Sequence, residues 1–127
     1  MWTSQQYLYG TTFKQSDVGA YQYNVWKIKN NKVKKINTLG KHVFFCSLID
    51  TNKIVYGSYN DSSMKKKVTV YTADRSGKHK KKLFTATTKT DSQIMITSGT
   101  SYSIIVKAPD VKYFYLCKTG ELTKTPL

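Results

Sequence analysis

The spacing of its apolar residues does most to limit what this chain can fold into. Nowhere do they recur at i, i+3, i+4 and i+7 over the length of a helix; short runs of Tyr, Val, Ile, Thr and Phe are instead broken every few residues by Asn, Gly, Ser or Asp. Runs of this kind make strands, so an all-β protein is expected. At 127 residues, with 39% hydrophobic and 13% aromatic content, the chain can bury one core. A single all-β domain over residues 1–127 follows.

The runs also repeat. YLYG at 7–10 corresponds to IVYG at 54–57 and, more loosely, to SIIV at 103–106. Three hairpins follow them, turning at Asn30-Asn31, Ser76-Gly77 and Thr119-Gly120, which are 46 and 43 residues apart. A period in the mid-forties suits a four-stranded antiparallel unit. The expected units are 1–39, 40–86 and 87–127. The middle one divides into strands at 42–50, 53–60, 67–74 and 78–84, and the last at 92–98, 103–108, 112–117 and 121–127. Only about five residues precede YLYG, so the first unit is expected to lack its first strand, giving eleven strands in all.

An apolar third strand, a tight turn and a Lys-rich fourth strand, as in YTADRSGKHKKKLF (71–84), resemble the blades of bacterial TolB-like and YWTD-like β-propellers. The resemblance covers nearly the whole chain as three blade-like meanders, although neither a YWTD nor a WD dipeptide is present. Propellers close with four to eight blades. The resemblance therefore implies a half-ring, a fragment of a larger ring or a homo-oligomer, with protein or cell-envelope partners. It also implies an envelope or extracellular location, which the residues themselves do not separate from a cytoplasmic one. A β-trefoil is the alternative fold, also built from three units of about forty residues.

Charge comes next. Twenty Lys and a single Arg, Arg75, against seven carboxylates leave +14, enough to attract polyanions over long range. The near-absence of Arg argues against sequence-specific reading of nucleic acid, because planar bidentate recognition is mainly an Arg property. In a blade the fourth strand is outermost, and Lys on such an edge prevents sheets from pairing edge to edge. KVKK (32–35), KHKKK (78–82) and Lys124 are read as that protection.

The other lysines gather on the loops that join second to third strands and successive units. Lys14, Lys41, Lys65, Lys66, Lys67, Lys107 and Lys112, with the aromatics Phe13, Tyr21 and Tyr59, form the expected ligand-binding face; Lys89 and His42 lie nearby. The opposite face is expected to keep only Lys53, Arg75 and Lys118 near its turns. The function this implies is a non-enzymatic binding or scaffold module whose basic loop face engages a protein or an anionic glycan. Nucleic-acid binding and a fragment of a propeller enzyme are the alternatives.

Catalytic signals are thin. The seven carboxylates fall in or beside expected turns, where Asp bonds its own backbone, though Asp17, Asp61 and Asp110 share one loop position. His42 and His79 have no ligand partner at metal spacing, and phosphate-loop, dinucleotide and nucleophile-elbow motifs are missing. No cofactor or metal is expected. Cys46 and Cys117 sit inside apolar runs and read as buried free thiols. No apolar run approaches 18 residues, so neither a membrane span nor an intact signal peptide is expected.

Overall fold

A computed structural model describes residues 2–4, 6–11, 22–41, 43–50, 52–61, 64–89, 93–97 and 103–127. For 2–4, 11, 22, 41, 44–46, 50, 59–61, 64–66 and 93–97 it describes the backbone alone. Among the described residues the chain is all β, without a helix. Its strands are β1 (Trp2–Ser4), β2 (Tyr7–Thr11), β3 (Gln22–Lys29), β4 (Lys32–Lys41), β5 (Val43–Asp50), β6 (Lys53–Asp61), β7 (Met64–Asp74), β8 (Lys81–Thr87), β9 (Gln93–Thr97), β10 (Ser103–Lys107), β11 (Val111–Leu116) and β12 (Glu121–Pro126). They form three four-stranded antiparallel sheets, each a meander in chain order: β1 to β4, β5 to β8 and β9 to β12.

The first unit does not lack its first strand. Trp2, Thr3 and Ser4 of β1 pair with Tyr9, Leu8 and Tyr7 of β2, and two residues separate the strands. A two-residue connection is the commonest hairpin link, so five residues suffice for a short strand and its turn.

The turns form where their residues allow. Asn30 and Asn31 both take positive φ, 51° and 62°, which a two-residue hairpin needs and Asn tolerates better than most residues. Gly77, at φ 85°, sits in the connection from β7 to β8; a methyl group there would lie 3.1 Å from Asn37 Nδ2, so the side chain of the first sheet fills that space. The run NDSSMKKK (60–67) is not the long loop that its polarity suggests. Asp61 pairs with Met64, leaving only 62 and 63 between strands, because nothing in Met64 to Lys67 breaks an extended backbone.

The sheets pack face to face in chain order. On one side of the second sheet Ile54, Tyr56 and Ala73 meet Tyr9, Val25 and Leu39 of the first. On the other, Val55, Val68, Val70, Phe84 and Ala86 meet Ile104, Val106, Val111 and Tyr113 of the third. The middle sheet is thus buried on both faces, which is why KIVYG and VTVYTA read as nearly continuous apolar runs. Each fully buried Val or Ile in these layers contributes about 1.5–3 kcal/mol relative to exposure.

The match between YLYG and IVYG is out of phase in space. Tyr9 and Tyr56 both enter the core between the first two sheets, from opposite sides of it. Side chains alternate faces along a strand, so a one-residue offset reverses the direction of every residue in the run. The repeat is real at the level of strands and not at the level of those letters.

Candidate functional site

All strands run antiparallel and in order, so the connections divide between two ends of the molecule. One end carries the turns at 30–31, 52, 75–80 and 117–120. The other carries the links after β2, β4, β6, β8 and β10.

Of the expected binding residues, Lys14, Phe13 and Tyr21 lie outside the described residues. Lys41 closes β4, Tyr59 lies near the end of β6, and Lys65 and Lys66 lie on β7 rather than in a loop; their side chains are outside the description. Lys67, Lys107 and Lys112 are described. Lys107 and Lys112 face each other directly across β10 and β11.

Beside this end a depression of about 520 Å3 opens between the second and third sheets, lined in part by Lys89, Lys124 and Asp110. The Asp110 carboxylate accepts from the Lys89 backbone N–H at 3.3 Å through Oδ2, while Oδ1 is buried without a hydrogen-bond partner among the described residues. Asp110 therefore bonds a neighbouring sheet rather than closing its own turn. A carboxylate in that wall repels an anion approaching it.

The opposite end is more basic than its turn residues alone suggest. Lys27 and Lys34 are direct cross-strand partners on β3 and β4, as are Lys29 and Lys32. These four, with Asn30 and the exposed Ile36, line a concavity of about 430 Å3. Lys78 and Lys80 lie in the connection from β7 to β8 at the same end. The expected concentration of charge on one face is thus corrected: lysine is carried at both ends, because strand tips flanking a turn contribute as much as the turn. Among the described residues no acidic one lines the four-lysine concavity.

The KHKKK segment also divides. Lys81 and Lys82 lie on β8, the outermost strand of its sheet, as edge protection requires; Lys78, His79 and Lys80 precede it. Lys80 Nζ donates to the Thr38 carbonyl of the first sheet at 2.6 Å. His79, at φ 57°, contacts the Asp74 carboxylate through Nδ1, a pairing across the turn that sequence separation hides. Lys80 and Lys82 line a groove of about 530 Å3 between the first two sheets, together with Tyr56, Tyr71, Ser58 and Gly40.

Cys117 is a free thiol, half-buried against the core of the second and third sheets. Burial pushes its pKa up, so it stays protonated at neutral pH and is a poor nucleophile. Burial, and next to it the neighbouring Cys117, raises Tyr115 as well. Cys46 lies on β5, with its side chain outside the description. Among the described residues no group of three potential metal ligands forms, and no helix is long and apolar enough to cross a membrane.

No family model, no curated protein and no solved structure matches the chain.

Proposed function

We propose that the protein is a binding module of propeller-type blades that holds an anionic glycan on its lysine-rich strand tips. The blade reading is supported by three consecutive meanders stacked in chain order, the middle one covered on both faces. The binding reading is carried by one observation. Three lysine pairs, Lys27 with Lys34, Lys29 with Lys32 and Lys107 with Lys112, face each other directly across strands. Like charges so placed oppose folding, and each such pair is weaker than a neutral or opposite-charge pair by roughly 0.2–1 kcal/mol.

Edge protection accounts for Lys32 and Lys34, which lie on an edge strand. It does not account for Lys27, Lys107 or Lys112, because β3, β10 and β11 each have a neighbour on both sides. A bound oxyanion relieves the repulsion in every pair. The four-lysine hairpin is the main site, since four lysines line one concavity and, among the described residues, no carboxylate does.

Titration with a sulfated polysaccharide such as heparin tests the reading. The combined change of Lys27 and Lys29 to Gln is expected to weaken binding about tenfold, equivalent to about 1.4 kcal/mol, while thermal unfolding shows the fold intact. Unchanged affinity, or equal losses from changing Lys81 and Lys118, would reduce the interaction to diffuse charge and overturn the site.

A further inference from the structure

The groove between the first and second sheets has a different chemistry from the lysine hairpin. Across β6, β7 and β8 the cross-strand partners Tyr56, Tyr71 and Lys82 stand in one row on one face. The two rings stack on each other with centroids 5.1 Å apart and planes 13° apart, and Tyr56 is only 2% exposed. Lys82 adjoins Tyr71 on its other side. The walls add the Ser58 hydroxyl, Leu39 and Gly40, and Lys80 stands at the rim, held by the Thr38 carbonyl.

Three properties define what such a groove accepts. Among the described residues its charged groups are both ammonium groups and no carboxylate lines it, so it favours an oxyanion. Its accessible hydroxyl-bearing residues, Tyr71 and Ser58, suit a ligand with hydroxyl groups of its own. Its volume, about 530 Å3, falls in the range of small-ligand clefts and matches one or two sugar rings rather than a polymer. Base stacking needs an open aromatic face. Here Tyr56 is buried and its ring already takes one face of Tyr71, with Lys82 the cross-strand neighbour on the other side.

We infer that this groove is a subsite for a single acidic sugar unit, a pyranose carrying a carboxylate or sulfate. Lys82 neutralises the anionic group, Lys80 supports it from the rim, and Tyr71 and Ser58 bond the ring hydroxyls. The inference rests on the reading of the protein as an anionic-glycan binder and specifies where the terminal or internal acidic unit is held. It also gives KHKKK a second role, with Lys80 and Lys82 lining the groove while Lys81 stays exposed on the edge strand.

The test uses the full chain and two probes, long-chain heparin and a sulfated uronic-acid disaccharide, against the wild type, Lys82→Gln, Tyr71→Phe and the Lys27→Gln, Lys29→Gln pair. Thermal unfolding of each variant confirms folding, and Tyr71→Phe keeps the ring stack. The disaccharide is expected to bind the wild type and to lose about tenfold or more with Lys82→Gln and several-fold with Tyr71→Phe, while the hairpin pair leaves it unchanged. Heparin should respond mainly to the hairpin pair. Disaccharide binding that is missing or indifferent to Lys82 and Tyr71, with heparin binding intact and hairpin-dependent, overturns the subsite alone. Loss of both probes in the wild type overturns the general reading. A single-stranded oligonucleotide that competes for the groove with the same dependence on Lys82 and Tyr71 overturns the sugar assignment.

Discussion

The phenol of Tyr113 joins two sheets by bonding one residue twice: it accepts the backbone N–H of Thr87 at 3.2 Å and donates to the Thr87 carbonyl at 3.0 Å. Thr87 ends β8, which among the described residues is an edge strand without a ladder partner on its outer side. Tyr113, on β11, therefore supplies the pairing that a further strand would give. Tyr113→Phe keeps the packing and removes both bonds. It is expected to lower unfolding free energy by about 1–3 kcal/mol, as measured by urea denaturation.

Gly77 and Asn37 make a second tie, between the first two sheets. Gly77→Ala meets both an unfavourable positive φ and Asn37 at 3.1 Å, and is expected to destabilise by about 1–3 kcal/mol. Adding Asn37→Ala should recover the steric part while the backbone part remains. A double-mutant cycle showing no coupling would contradict this contact.

Stability and binding should move in opposite directions at the lysine hairpin. Lys34→Glu replaces a like-charge cross-strand pair with an opposite-charge pair facing Lys27. Unfolding free energy is expected to rise by about 0.2–1 kcal/mol, while heparin affinity falls. A variant that loses stability along with affinity would show that these lysines are held for packing.

Alkaline pH should weaken the fold through the third sheet. Cys117 and Tyr115 both have pKa values raised by burial, so the native state retains protons that the unfolded chain gives up. Stability is then constant below the ordinary thiol range and falls as pH rises beyond about 8.5. Cys117→Ala should flatten the first part of that decline in urea titrations run at successive pH values, leaving the later tyrosine part.

The outer face of the third sheet carries Ile105 opposite Phe114, and Leu116 near them, all half-buried and on the side away from the core. On the proposed blade reading, this face would receive a further blade. Solution mass measured at two concentrations is expected to exceed that of one 14.5 kDa chain at the higher one. Phe114→Lys should return it to the single-chain value, and an unvarying monomer would argue against the blade arrangement.

Much of the strand content was legible in the residues. Asn30-Asn31 and Gly120 mark turns because positive φ is local chemistry, and β6, β7, β10 and β11 announce themselves by apolar runs. β1 was not legible, since three residues carry no periodicity. The lysine pairing at the tip of the first hairpin follows from the two-residue turn, which sets Lys29 against Lys32 and Lys27 against Lys34; the bulge between Val25 and Trp26 shifts the register only farther from the turn. The pairing of His79 with Asp74, by contrast, depends on how the turn at 75–80 folds.

Sequence alone determined that this chain forms repeated antiparallel strands and carries a large positive charge, because periodicity, turn chemistry and charge are properties of residues in order. Tertiary structure decided which sheet faces meet, and so which pair of tyrosines shares a groove with two lysines. Those facts depend on register and on which face meets which sheet, and a one-residue slip, silent in composition, reverses both.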